Sequence, residues 1–201
     1  MKSWRLNWNV VRRDLVVGSC PRELSDLDAI RVETRMSAIL SVQHDECLEK
    51  LGIDYAAYVR HGRRIGLTME RWPLRDFDPA DQRRGLPAAV GGLHGLLRQG
   101  HRVYVHCTAG INRAPLVVLA YLTLIEGASL EEAMTLLLRA RPDICPTWEA
   151  YHGCQQDLTA RYEDRIQRRA FEFSQQQPEQ SPSIHRLEAE RAIWREALIT
   201  R

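Results

Sequence analysis

Short apolar runs alternate with longer stretches of helical period along this chain. Asp14 to Cys20 carries Leu-Val-Val and closes on Gly18-Ser19-Cys20-Pro21, which predicts a strand running into a turn. Ser25 to Arg35 sets Leu27 and Ile30 on one helical face, and Ser37 to Val42 reads as a short buried strand. Asp45 to Arg60 predicts two short helices around the break Gly52-Ile53-Asp54. Met69 to Leu74 predicts a strand that Pro73 confines toward an edge or an end. A carboxylate-rich turn, Arg75 to Asp81, leads into a helix over Gln82 to Arg98, with Asp81 as its expected N-cap and Gly100 as its stop. A strand at 102–106, a tight loop and an apolar helix from Leu116 to Ile125 follow. Ser129 and Glu132 form a capping box for a helix through Arg139, and Pro142 stops it. Thr147 to about Phe173 is a long helical stretch, and Gln175 to Ser183 reads as a polar linker. Ile184, Leu187, Trp194 and Leu198 mark one stripe of a final helix, expected to fold back on its own domain.

Strands alternating with helices give an α/β class, a central mostly parallel sheet flanked by helices. The expected organisation is a domain over residues 1–173, a linker over 174–183 and a helix over 184–201. At 201 residues and 44% hydrophobic content the chain can bury a core. A net charge of +2 implies no nucleic-acid partner, so any preference for anions must be local. No apolar run is long enough to span a membrane, and no signal-peptide pattern opens the chain. Five cysteines, odd in number and without a scaffold rhythm, point to a reducing, cytoplasmic setting. The seven histidines show no ligand spacing, so neither metal nor cofactor is expected.

The chemistry concentrates in Val103 to Pro115, Val-Tyr-Val-His-Cys-Thr-Ala-Gly-Ile-Asn-Arg-Ala-Pro. A β-rich run delivers Cys107 onto a tight turn, and after five intervening residues Arg113 opens a helix. Such a loop turns backbone N–H groups toward one point, and the helix aims its positive end there. Thr108, Ala109, Gly110, Ile111 and Asn112 are thus expected to bind a phosphate dianion, with Asn112 placed for left-handed geometry. The same field favours a thiolate at Cys107, while Arg113 offers a planar fork for two phosphate oxygens. His106 is expected to order the loop and not to act as a base. A thiolate that displaces an alkoxide needs a proton donor for the departing oxygen. Asp76 and Asp78 both qualify, and the pattern of residues does not choose between them.

The His-Cys, five-residue, Arg loop resembles the signature of the cysteine-based protein tyrosine phosphatase superfamily. From about Asn7 to Leu158 the chain is similar to the dual-specificity branch, most of all to the plant starch-excess and laforin-type glucan phosphatases. Asp14-Leu-Val-Val-Gly-Ser-Cys-Pro, Arg75-Asp-Phe-Asp-x-x-Asp, Leu86-Pro-Ala-x-Val and Val105 to Pro115 carry the likeness. The resemblance implies Cys107 as nucleophile, Arg113 as phosphate clamp, Asp76 as general acid, and Phe77 and Trp8 as substrate-binding aromatics. Ala114 lacks the hydroxyl most dual-specificity enzymes carry there, as the glucan enzymes do. Asn112 stands where those enzymes usually carry Gly, and Lys50 and Leu51 stand where they carry aromatics. The implied activity is hydrolysis of a phosphorylated substrate, either a phosphoglucan or a phosphoprotein. A catalytically weak binding protein is the reading from another class.

Overall fold

The computed structural model describes residues 5–200. Five strands form one sheet: β1 (Trp8–Arg12), β2 (Leu15–Gly18), β3 (Ala38–Gln43), β4 (Thr68–Leu74) and β5 (Val103–His106), in the order β1-β2-β5-β3-β4. β1 runs antiparallel to β2, and every other pairing is parallel. The α/β expectation holds, with β1 added. It is a partly exposed edge strand with little alternation, so its sequence gave no clear period.

Alternation along the inner strands builds two cores. Leu15, Val17, Leu40, Val103 and Val105 face one side, and Val16, Ile39 and Tyr104 face the other. The helices are α1 (Leu24–Thr34), α2 (Asp45–Leu51), α3 (Tyr55–Arg64), α4 (Pro79–Arg98), α5 (Arg113–Ala120), α6 (Leu130–Ala140), α7 (Trp148–Gln176) and α8 (Pro182–Ile199). A π-helical turn, Tyr121–Ile125, continues α5. α5 begins at Arg113, three residues before the apolar run, because Pro115 is tolerated in a first turn. Asp78, not Asp81, caps α4, and its carboxylate accepts the Asp81 N–H at 2.9 Å.

The expected domain division shifts. Trp194 and Leu198 of α8 belong to the same core as Leu93 of α4, so the last helix completes the domain. The buried face of α8 is His185, Ala189, Ile193, Trp194 and Leu198, whereas Ile184 and Leu187 are exposed. Arg186 grips Glu163 through two bonds of 2.8 and 2.9 Å, which fixes α8 on α7.

Candidate active site

β5 ends at His106 on the carboxyl edge of the parallel strands, and the Cys107–Arg113 loop turns there into α5. Every carbonyl from Thr108 to Ile111 is held from outside the loop. Cys20 N–H donates to the Thr108 carbonyl at 3.0 Å, and Cys145 N–H to the Ile111 carbonyl at 2.8 Å. Arg141 takes the two between them: Nη2 donates to the Ala109 carbonyl and Nε to the Gly110 carbonyl, both at 2.8 Å. In a planar trans peptide an outward C=O turns the next N–H inward. The amides of Ala109, Gly110, Ile111 and Asn112 are therefore turned toward the inside of the loop. The Gly110 N–H already lies 3.3 Å from Cys107 Sγ.

Gly110 is irreplaceable for two reasons. Its φ is +71°, and a Cβ there would lie 2.4 Å from the Gly18 carbonyl oxygen. Asn112 does not adopt left-handed geometry, since its φ is −110°. Its side chain braces the loop instead. Nδ2 donates to the Cys145 carbonyl at 2.8 Å, and Oδ1 accepts from Thr147 Oγ1 at 3.0 Å.

Arg113 is 1% exposed. Nη1 donates to the Leu74 carbonyl at 3.0 Å and to Cys47 Sγ at 3.3 Å; Nη2 donates to Thr108 Oγ1 at 3.2 Å. Nε is buried without a partner among the described residues. The Asp76 carboxylate lies 2.8 Å from Nη2. Gln43 reaches Thr108 Oγ1 at 3.2 Å from the end of β3, where a register shift against β4 turns the strand. Both lone pairs of that hydroxyl are then occupied, which leaves its O–H to donate.

The turn after β4 separates its carboxylates by role. Asp81 Oδ2 accepts the Arg75 N–H at 2.7 Å, and Gln82 Nε2 donates to the Arg75 carbonyl at 3.0 Å. With Arg75 pinned at both ends and Asp78 used as a cap, Asp76 is the carboxylate that reaches the loop. Phe77 has φ of +56° and is 93% exposed, so it points away from the core. Trp8 lies opposite Gly18 at the same sheet edge, with its ring partly buried against the Val16–Tyr104 core.

Burial pushes His106 down to about 4, helped by the nearby Arg113 charge, so the ring is neutral near pH 7. Its Nδ1 sits 3.2 Å from the Cys107 carbonyl. Burial pushes the Cys20 thiol up to about 11, which keeps it protonated. Cys20, Cys47, Cys107 and Cys145 form no disulfide. Among the described residues no cluster of three or more His, Cys, Asp or Glu is placed to hold a metal ion.

A model of the dual specificity phosphatase catalytic domain matches residues 38–153. The chain belongs to that family. It is 38% identical over 155 residues to the amyloplastic phosphoglucan phosphatase DSP4 of Castanea sativa, covering 76% of this chain and 41% of that one. It is 32% identical over 141 residues to the chloroplastic phosphoglucan phosphatase LSF1 of Arabidopsis thaliana, covering 69% and 24%, and 25% identical over 167 residues to mouse laforin, covering 78% and 51%. The chain thus spans about half or less of these relatives. The active form of Tk-PTP superposes with a TM-score of 0.60 at 21% identity, over 74% of this chain and 94% of that one. A mouse putative dual specificity phosphatase complexed with zinc tungstate gives 0.57 at 23%, over 80% and 94%. Both share the fold.

Arg141, Gln43 and Gln82 were not singled out in the sequence. Arg141 and Gln43 act across long stretches of chain, and Gln82 acts back across the acid turn, so no residue pattern marks them.

Proposed function

We propose that this member of the family hydrolyses phosphate monoesters on a glucan through a phosphocysteine. One observation carries the reading. Asp76 and Phe77 are consecutive yet diverge, the carboxylate toward Arg113 and the ring fully outward. An acid aimed at the pocket with an aromatic at its rim suits a phosphate borne on a broad sugar surface. The phosphoglucan phosphatases among the relatives support the same substrate class.

The mechanism follows from the geometry. Cys107 Sγ attacks phosphorus in line, forming an S–P bond as the P–O bond to the sugar breaks. Arg113 holds two equatorial oxygens with Nε, which has no partner among the described residues, and Nη2, from which the phosphate displaces Asp76. The inward-turned amides hold the remaining charge. Protonated Asp76 gives its proton to the departing alkoxide. As a carboxylate it then takes a proton from water, which attacks phosphorus and breaks the S–P bond. The Thr108 hydroxyl donates within the loop, where Ala114 has none to offer. Cys20, Cys47, Cys107 and Cys145, without disulfides, suit a reducing compartment.

The test measures phosphate release from solubilised phosphoglucan beside phosphotyrosine and phosphoserine peptides. The reading expects the glucan to give the higher kcat/KM. Preference for the peptides overturns it.

A further inference from the structure

We propose that Gln82 is a positioning residue for the acid: it fixes the peptide that carries Asp76, at the expense of stability in the core. The inference rests on the reading of Asp76 as proton donor. α4 buries one stripe at helical spacing, Gln82, Leu86, Ala89, Val90, Leu93 and Leu96. Every member but the first is apolar. Gln82 is an amide and is 0% exposed. A leucine at the head of the stripe would complete the pattern.

The amide is only half used. Nε2 donates to the Arg75 carbonyl at 3.0 Å, whereas Oε1 is buried with no partner among the described residues. A buried acceptor left unbonded costs stability that an apolar side chain of similar size does not. The one bond the amide makes is part-buried, so water can replace it and folding gains little from it. A polar group that breaks the core pattern without a gain in packing points to function.

Peptide planarity shows what that bond controls. The Arg75 carbonyl shares a rigid plane with the N–H and Cα of Asp76. Asp81 Oδ2 accepts the Arg75 N–H at 2.7 Å, so two consecutive residues of α4 hold both backbone groups of Arg75. With that plane fixed, Asp76 reaches Nη2 of Arg113 at 2.8 Å by its own φ and side-chain torsions alone. The turn needs such a hold. Phe77 follows with a φ of +56°, a geometry that a residue other than glycine keeps only where its surroundings impose it. On the other side of Arg75, the Leu74 carbonyl accepts from Arg113 Nη1 at 3.0 Å. The acid is therefore framed by Arg113 on one side and by Asp81 and Gln82 on the other. Without the Gln82 donor the Arg75–Asp76 peptide is free to rotate, and a displacement of about 1 Å can cost a reacting group up to ~10²-fold in rate.

A double-mutant cycle tests this on two small aryl esters, phenyl phosphate and nitrophenyl phosphate, of which the first depends far more on protonation of its leaving oxygen. Gln82→Met and Gln82→Leu remove the donor and keep an apolar side chain of similar size. Both should melt no lower than the wild type. kcat/KM for phenyl phosphate should fall roughly ten- to hundredfold, and for nitrophenyl phosphate far less. In an Asp76→Ala background the same substitutions should cost nothing further, because no acid remains to be positioned. Equal losses on both esters, a further loss in the Asp76→Ala background, or no loss on either ester overturns the inference. Failure of both variants to fold also overturns it, since Gln82 is then a stability residue. Asp76→Ala measured alone separates this failure from that of the acid assignment. If it shows no leaving-group dependence, the assignment fails and the positioning role falls with it. Neither ester is a glucan or a peptide, so the result stands whichever natural substrate is hydrolysed.

Discussion

The Asp76 carboxylate lies 2.8 Å from Nη2 of Arg113. The proposed acid and the proposed phosphate clamp are thus paired in the resting site, and the Arg113 side chain is almost fully buried around that contact. On the mechanism proposed above, a phosphate oxygen replaces that carboxylate when substrate binds. That mechanism also predicts that the consequence of losing Asp76 depends on the leaving group. Asp76→Ala should slow release from sugar or serine phosphate by about 10²–10⁴-fold, the range of general acid catalysis. A nitrophenyl ester, which departs without protonation, should lose far less. Steady-state rates on both substrates check this, and a larger leaving-group-dependent loss in Asp78→Ala contradicts it.

Arg141 holds the carbonyls of Ala109 and Gly110 and also donates to Asn9 Oδ1 at 2.8 Å and Asn7 Oδ1 at 2.6 Å. Arg141→Met leaves the buried Gly110 carbonyl without a donor, at about 1–3 kcal/mol, and frees the part-buried Ala109 carbonyl as well. The melting temperature should fall, and affinity for tungstate, an oxyanion mimic of phosphate, should fall with it. A variant that melts lower yet binds tungstate as tightly as the wild type makes Arg141 a purely structural residue.

Thr108 carries the hydroxyl that position 114 lacks. Thr108→Val keeps the side-chain volume and removes the donor. It should slow hydrolysis of the phosphocysteine more than its formation, so a burst of leaving group should precede the steady rate. The absence of any burst, with an unchanged steady rate, contradicts a role for this hydroxyl.

His106 sets an acid limit on stability. Its folded value of about 4 lies below its ordinary 6.5, chiefly through burial. Between those values the unfolded chain binds a proton that the folded protein excludes. The stability this residue contributes is present above about 6.5 and is lost as pH falls toward 4. Urea unfolding from pH 7 to 4 should show a shallower decline for His106→Gln than for the wild type. Equal slopes contradict the buried neutral ring.

Much of the site was legible because its parts are local. Cys107, Gly110 and Arg113 lie within seven residues, and the strand–loop–helix pattern around them is strong. The sequence did not separate Asp76 from Asp78, because the choice depends on which carboxylate caps α4, and the expected cap, Asp81, instead accepts the Arg75 N–H. The brace by Arg141 was invisible, since it joins positions 31 and 32 residues apart and reads locally as a charge after a helix. Of the stripe expected on α8, Trp194 and Leu198 are buried and Ile184 and Leu187 are not, for a different reason. Its buried face begins with His185 and Ala189, which carry little hydrophobic signal, while the more apolar Ile184 and Leu187 stay exposed. The outward stance of Phe77 depends on its positive φ, which no local pattern announces.

The central claim is a covalent intermediate on Cys107. Rapid acid quenching during turnover of an aryl phosphate, followed by digestion and mass spectrometry, tests it most directly. The account predicts one phosphoryl group on the peptide containing Cys107, enriched in Thr108→Val and absent from Cys107→Ser, which should retain tungstate binding while losing at least ~10³-fold in rate. A phosphoryl group on another residue, or substantial turnover by Cys107→Ser, contradicts it.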